Sequence, residues 1–445
     1  MAQRIFGTDG VRGKAGEGWL TAGNVSALGR HAGEVLGAGS KARTALVGHD
    51  GRRSGPELEA ALARGLSAAG FRVTSVGLIS TPGLALLTRL REFHVGGMIS
   101  ASHNPAEDNG VKLFGRNARK LSDADELAIE AKLLADTTPS ERGAAPELDP
   151  ELEKAYLGYL VDKAGAGLSL AGMTIALDCS NGGGSRIAPR VFGRLGARVI
   201  PLCAEPDGEN INKGCGSTHP EALQAEVRRM GANVGIALDG DGDRCLLVDE
   251  RGALVDGDGI LTICGRQDGP KWPDRRVVAT VMSNKGLHKA LREVGVGVLT
   301  VGVGDRYVVE ALEREKLRLG GEQSGHIVFG DDNYMIGDGV YTALRVLRVL
   351  RETGKPLSEL AGAYRSFPQV LLNVRVARKP ALSGIPAIVE AVAKVERELG
   401  DDGRVLLRYS GTESLARVMV EGPDLGLIQA HAQGLAKLLA AELGT

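Results

Sequence analysis

One order of segments recurs three times in this chain, and it restricts the fold more than any other feature. Residues 43–76 read as a strand (Arg43–Val47), a polar glycine loop, a helix (Gly55–Ala69) and a second strand (Phe71–Val76). Residues 173–202 follow with the strand Met173–Leu177, the loop Asp178-Cys179-Ser180-Asn181-Gly182-Gly183, a helix to about Leu195 and the strand Ala197–Leu202. Residues 276–301 give Arg276–Val281, the loop Ser283-Asn284-Lys285-Gly286, a helix to Val294 and Val296–Val301. β-branched apolar runs alternating with amphipathic helices predict α/β layers on largely parallel or mixed sheets.

The C-terminal stretch breaks this pattern. Val370–Val376, Arg404–Arg408 and Ala416–Glu421 read as strands, with helices at Ile385–Leu399 and Leu427–Leu443. That is an α+β layout. The expectation is three related α/β mixed-sheet domains, 1–152, 153–254 and 255–367, plus an α+β domain, 368–445, around a central cleft suited to a polar ligand. A length of 445 residues is compatible with this, since domains average roughly 150 residues.

Composition excludes several classes of function. The formal net charge is −1, so nucleic acid and membrane surfaces have no electrostatic hold on the chain. There is no apolar run of about 18 residues, which predicts no transmembrane helix. The start Met1-Ala2-Gln3-Arg4-Ile5-Phe6-Gly7 has no hydrophobic signal region, and the expected location is cytoplasmic. The five cysteines, Cys179, Cys203, Cys215, Cys245 and Cys264, include no Cys-x-x-Cys pair. That argues for a reducing compartment and against a zinc site.

Two motifs point to phosphoryl chemistry. Gly97-Met98-Ile99-Ser100-Ala101-Ser102-His103-Asn104-Pro105 runs apolar into a turn and presents Ser102 at the end of a strand. Ser102 lacks the flanking glycines of an acyl-transfer nucleophile elbow. Asp239-Gly240-Asp241-Gly242-Asp243-Arg244 sets three carboxylates at alternate positions. Burying them unpaired would cost several kcal/mol each, and a divalent cation resolves the repulsion. All-oxygen ligands select Mg²⁺ or Ca²⁺. A calcium loop would need glycine where Arg244 stands, despite Glu250 at the twelfth position, and flanking helices where Val234–Leu238 and Cys245–Val248 read as strands. A solvated acidic turn is the other alternative. Arg244 is placed to clamp a phosphoryl oxygen.

His103 and Lys112 are the titratable groups near Ser102 able to move a proton, and such assistance is typically worth about 10²–10⁴ in rate. Glu322-Gln323-Ser324-Gly325-His326 packs donors and acceptors suited to adjacent sugar hydroxyls, although a polar turn reads the same way. Arg408-Tyr409-Ser410-Gly411-Thr412-Glu413, with Arg417 after it, offers an anion nest between two arginine forks. Gly7-Thr8-Asp9-Gly10-Val11-Arg12-Gly13 and Gly48-His49-Asp50-Gly51-Arg52-Arg53-Ser54-Gly55 add arginines in glycine loops. Neither is a Walker loop, and a structural ion pair accounts for Asp50 and Arg52.

Taken together, these motifs resemble the α-D-phosphohexomutase superfamily, in family order and over the whole chain. The matching loops are Ser100–Pro105, Asp239–Arg244, Glu322–His326 and Arg408–Thr412. The opening Phe6–Gly13, the stretch Asn210-Ile211-Asn212-Lys213-Gly214-Cys215-Gly216-Ser217 and Gln323 point to the amino-sugar branch; mannose and glucose relatives usually carry methionine at the position of Gln323. The sequence departs from the family at His49 and Gly51, and at Met335-Ile336 before Gly337-Asp338-Gly339.

The resemblance implies the four-domain phosphohexomutase architecture and a phosphoserine at Ser102. It implies one Mg²⁺ per site on Ser102, Asp239, Asp241 and Asp243. Glucosamine 6-phosphate and glucosamine 1-phosphate would interconvert through glucosamine 1,6-bisphosphate, supplying precursor for UDP-N-acetylglucosamine and cell-wall synthesis. Arg12, Lys112, His103 and Arg244 would assist at the reacting end, with Lys112 the expected general base. Glu322, Ser324 and His326 would hold the sugar. Arg408, Ser410, Gly411, Thr412 and Arg417 would hold the idle phosphate, with the last domain closing as a lid. A homodimer fits the family. The rival readings are the sister activities on mannose or glucose phosphates and a non-catalytic sugar-phosphate sensor.

Overall fold

A computed structural model of the chain describes residues 4–7, 9–39, 43–140, 143–330, 335–410 and 414–444. Two compact units emerge: Met1–Met282 with Leu299–Ala361, and Ser283–Val298 with Gly362–Thr445.

The first unit is built on three mixed sheets. In the six-stranded sheet the order is Val11–Lys14, Asp108–Gly115, Val95–Ile99, Thr44–His49, Arg72–Leu78, Glu147–Leu148. Its middle strands, Val95–Ile99, Thr44–His49 and Arg72–Leu78, are parallel, and Asp108–Gly115 runs antiparallel beside them. The five-stranded sheet repeats the plan. Arg198–Leu202, Thr174–Asp178 and Val234–Leu238 are parallel, and Cys245–Asp249 turns back against Val234–Leu238. In a third sheet Arg276–Thr280 pairs parallel with Leu319–Gly321, which pairs antiparallel with Ile327–Phe329.

Every residue of Val95–Ile99 and of Val234–Leu238 is buried. Helices cover both faces of such a strand, so its sequence is continuously apolar rather than alternating. The helices Ala22–Leu36 and Gly55–Ala68 pack on the first sheet and on each other, and a Cβ at Gly65 would lie 2.0 Å from the Ser26 carbonyl. Only glycine permits that helix approach.

The second unit carries a three-stranded antiparallel sheet, Gln369–Arg375, Leu415–Glu421, Arg404–Tyr409, with helices Pro386–Leu399 and Leu425–Leu443 on its core. This is the α+β domain expected from the sequence.

One expectation needs correction. The helix after Gly183 is short, Ala188–Arg194, because residues 180–187 form a turn in which Gly182 and Gly183 press against other backbone. The third repeat forms as expected, Arg276–Thr280, Lys285–Arg292 and Gly297–Val301, and its helix belongs to the second compact unit. There Asn284 exchanges hydrogen bonds with the backbone of Phe367 at 2.8 and 3.0 Å, and Arg404 donates to the Ser283 carbonyl at 2.7 Å. Among the described residues no helix is long and apolar enough to cross a membrane.

Candidate functional site

Ser102 and the aspartates follow the same kind of strand. Val95–Ile99 and Val234–Leu238 are central parallel strands, and the loops 100–105 and 239–244 leave their C-terminal ends. That end of an α/β sheet is where ligands bind.

The Ser102 backbone is left-handed, with φ of 53°, a conformation that costs a residue bearing a Cβ roughly 1–3 kcal/mol unless its surroundings impose it. They do so here. The Ser102 amide donates to Ser100 Oγ at 2.8 Å, and that hydroxyl donates to Asp50 at 2.6 Å. Asp50 in turn pairs with Arg52 at 3.0 Å. Arg52 is 1% exposed, and its guanidinium donates to the carbonyls of Ser102, Asn104 and Asp108 at 2.8, 2.9 and 2.9 Å, and to that of Pro105. Asn212 adds donations to Ser102 and Asn104 at 2.9 and 3.0 Å. The Asp50–Arg52 pair is structural, as expected, and what it structures is the serine loop.

The hydroxyl so held donates to Asp239 at 2.8 Å and lies 3.3 Å from His103 Nδ1. Oxygens of Asp239, Asp241 and Asp243 fall within 4.8 Å of one another. Asp241 accepts from Thr81 Oγ at 2.5 Å and from Lys112 Nζ at 2.8 Å. Lys112 also reaches Asp9 at 2.8 Å and Asp243 at 3.9 Å. Arg12 pairs with Asp9 and donates to the Ala101 carbonyl at 3.3 Å. Asp243 faces His326 Nδ1 at 3.5 Å and Arg244 Nε at 4.0 Å. A Cβ at Gly182 would sit 2.0 Å from the Gly240 carbonyl, so the metal loop rests directly on backbone.

A hard cation fits this cluster. Asp241 Oδ1 and Asp243 Oδ1 are buried and make no hydrogen bond among the described residues. Buried carboxylate oxygens without partners are costly, and an all-oxygen set suits Mg²⁺ or Ca²⁺. The calcium-loop alternative fails on its own terms, because strands flank the triad and Glu250 is engaged by Ser358.

Burial raises the Asp239 carboxyl well above its usual range, and the Asp243 and Asp241 charges add to this. Burial acts the same way on Asp241, but the Lys112 ammonium outweighs it and holds that carboxyl low. For Lys112 itself, burial opposes the charge, yet Asp241, Asp9 and Asp243 raise its pKa. With three carboxylates around it, Lys112 is held as a cation in this arrangement. Burial, then the charges of Arg244 and Arg12, lowers His103 to about 4. A neutral imidazole thus stands beside the hydroxyl. His326 goes the other way: burial opposes its charge, but Asp243 and Asp305 raise it to about 9.

These groups border a cavity of about 470 Å³ whose lining includes Arg12, Ser102, His103, Asp243, Arg244, Glu322 and His326. The loop Val303-Gly304-Asp305 closes one wall, and Glu322 accepts from the Gly304 amide at 3.1 Å. Ser324 lies in the turn between Glu322 and His326, with its hydroxyl buried and unpaired among the described residues. Gln323 is not among the lining residues and donates to Asp256 at 3.2 Å.

Three participants had no motif to flag them. Lys120 bridges Asp9 and Asp305 at 2.5 and 2.6 Å, tying the N-terminal loop to the wall of the cavity. Thr81 fixes Asp241 through both its hydroxyl and its amide. Only the glycine loop around Asp9 carried a signal in the sequence.

In the second unit Arg408 and Arg417 stand directly opposite in the antiparallel pair Arg404–Tyr409 and Leu415–Glu421. Like charges at opposed positions are unfavourable. Ser410 is buried at the strand end, and Lys379 donates to its carbonyl at 2.6 Å. Gly411 and Thr412 lie outside the described residues.

Comparison with known proteins agrees with this chemistry. Family models described as phosphoglucomutase/phosphomannomutase match in chain order: α/β/α domain I over 3–140, domain II over 154–252, domain III over 256–367 and the C-terminal domain over 371–438. The chain is 48% identical to the phosphoglucosamine mutase of Desulforudis audaxviator, covering 98% of this chain and 97% of that one. Identity to the Rhodococcus erythropolis phosphoglucosamine mutase is also 48%, covering 98% and 99%. Among solved structures, a phosphoglucomutase/phosphomannomutase family protein from Burkholderia thailandensis superposes with a TM-score of 0.81 at 24% identity, covering 99% and 98%. The Aspergillus fumigatus N-acetylphosphoglucosamine mutase, solved with GlcNAc-6P and magnesium, gives 0.67 at 18% identity, covering 99% and 96%. With relatives this similar over nearly its full length, the chain belongs to the phosphoglucosamine mutase family of the α-D-phosphohexomutases.

Proposed function

We propose that this chain is an isomerase that interconverts glucosamine 6-phosphate and glucosamine 1-phosphate, with Ser102 as the group that carries the phosphoryl between turnovers. The observation that carries the reading is one juxtaposition: Ser102 Oγ donates at 2.8 Å to a buried aspartate triad in which two carboxylate oxygens accept no hydrogen bond among the described residues. Asp239, Asp241 and Asp243, with a phosphoserine oxygen, would hold Mg²⁺, which supplies electrostatic stabilisation for charge developing on a transferring phosphoryl group.

The reaction begins with Ser102 phosphorylated. The phosphoryl passes from Ser102 Oγ to the free hydroxyl of the bound monophosphate, whose proton ends on Ser102 Oγ, giving glucosamine 1,6-bisphosphate. The bisphosphate reverses in the cavity, and its other phosphoryl returns to Ser102 Oγ, releasing the isomeric monophosphate. At that return His103 takes the Ser102 hydroxyl proton, and the departing sugar oxygen receives a proton to become the free hydroxyl. The support for His103 is the 3.3 Å approach and the neutral ring. Lys112, Arg12 and Arg244 stay charged and face the phosphoryl oxygens. Glu322 and His326 line the cavity where sugar hydroxyls would lie. Arg408, Ser410 and Arg417 hold the idle phosphate; the opposed arginines support this role.

The test is ³¹P NMR of the protein with Mg²⁺, catalytic hexose bisphosphate and glucosamine 6-phosphate, beside tubes of glucose 6-phosphate and mannose 6-phosphate. The expected result is fast growth of the 1-phosphate signal mainly in the glucosamine tube. Preference for glucose or mannose keeps the mechanism and overturns the substrate. No turnover in any tube overturns the reading.

A further inference from the structure

A second titratable cluster lies in the five-stranded-sheet region and takes no part in the reaction above. Cys203 follows the strand Arg198–Leu202, and Cys215 precedes the short turn Gly216–Thr218. Their sulfurs and a carboxylate oxygen of Asp178 fall within 4.8 Å of one another. Both Asp178 oxygens already brace the loop, accepting from the Ser180 and Gly216 amides at 2.8 Å each. The sulfurs are then the reactive members of the cluster.

The two thiols are not equivalent. Cys203 is half-buried and Cys215 is buried. A hydrogen bond from Cys215 lowers the Cys203 thiol, while the same contact and burial raise Cys215. A half-buried sulfur beside a second thiol is the arrangement of oxidation-sensitive pairs. The other cysteines, Cys179, Cys245 and Cys264, are buried.

What lies between the two cysteines gives the pair a consequence. Asn212 donates its amide to the Ser102 and Asn104 carbonyls and is itself held by Ser180, whose hydroxyl donates to it at 2.9 Å. Cys203 already occupies left-handed backbone, with φ of 46°, and its carbonyl accepts from Asn181 at 2.5 Å. A disulfide needs its sulfurs about 2.05 Å apart. Drawing the ends of the segment 203–215 together moves the loop that carries Asn212.

We propose that Cys203 and Cys215 are a reversible thiol–disulfide site, oxidised by hydroperoxides, whose closure loosens the Asn212 brace on the Ser102 loop. The Cys203 thiolate attacks the O–O bond of hydrogen peroxide, forming a sulfenic acid and releasing hydroxide, which is protonated to water. The Cys215 sulfur then attacks the sulfenic sulfur, gives up its proton and displaces a second water. Two thiols lose two electrons, and the peroxide gains them.

The experiment treats the full-length protein with hydrogen peroxide, alkylates remaining thiols and maps peptides by mass spectrometry. The expected product is a cross-linked peptide pair containing Cys203 and Cys215, lighter by two hydrogen atoms and released by dithiothreitol. Mutase activity should fall about tenfold to a hundredfold as the cross-link forms and return on reduction. Cys203→Ser should keep its activity in peroxide. Separate alkylation of both thiols after peroxide overturns the proposal, and so does a Cys203→Ser variant that peroxide inactivates as fast as the parent. Stoichiometric zinc that blocks the cross-link and is lost in Cys203→Ser overturns it in favour of a metal site. The cross-link is read by mass, so it stands or falls independently of the mutase reading.

Discussion

Ser102 concentrates the local demands of this site: left-handed backbone, a fixed carbonyl and a hydroxyl aimed at Asp239. Ser102→Ala removes the hydroxyl and leaves the backbone brace. Turnover should fall by about a thousandfold or more, with the thermal midpoint little changed; substantial activity in that variant would end the covalent scheme. Arg52 makes the complementary prediction. Its planar fork spans the Asp50 carboxylate and the loop carbonyls, a geometry that a lysine ammonium does not reproduce. Arg52→Lys should lose about 1–3 kcal/mol of stability, as expected when buried acceptors lose their donors. Its kcat should fall more than its KM changes, read by thermal denaturation and steady-state kinetics. Equal stability and unchanged kcat would show that the brace is not needed.

At the scale of elements, the helix Lys285–Arg292 shows how packing sets a protonation state. Burial, then the charges of Lys285, Arg404 and Arg292, lowers His288 to about 4. The folded form therefore holds this imidazole neutral while the unfolded chain, near 6.5, binds the proton. The unfolded state binds more protons between those values, so stability is fully present above about 6.5 and declines as pH falls toward 4. His288→Gln should lose less of its thermal midpoint than the parent between pH 7 and pH 4.5. Parallel losses in the two proteins would remove His288 from the acid response. The same helix marks a limit of reading by repeats. Its sequence continues the third strand–loop–helix unit, but Asn284 and Ser283 bond to Phe367 and Arg404, which lie far along the chain.

For the whole molecule, the aspartate triad predicts a metal-linked stability. An ion that binds the folded chain but not the unfolded one stabilises it by mass action, by about 2.7 kcal/mol at a hundredfold excess over Kd. The thermal midpoint should rise with Mg²⁺ concentration, and a chelator should abolish activity until Mg²⁺ is restored. Asp243→Asn should remove most of the midpoint shift. A parent protein indifferent to Mg²⁺ in both assays would show that the buried carboxylates are balanced by Lys112, Arg244 and His326.

Chemistry that depends on neighbours in sequence was legible from the chain itself. The apolar runs Val95–Ile99 and Val234–Leu238 announced buried parallel strands, and the loops after them announced a serine and three alternating carboxylates. The reason is local: side-chain periodicity and turn residues act over a few positions. Tertiary structure alone decided which distant residues complete the site. Asp50 and Arg52 brace a loop some fifty residues away, and Lys120 joins Asp9 to Asp305. Tertiary structure also decided what the titratable groups are. The charge on Lys112 is set by Asp9, Asp241 and Asp243, which surround it from distant parts of the chain. Burial and through-space charge set protonation, and neither is a property of sequence spacing.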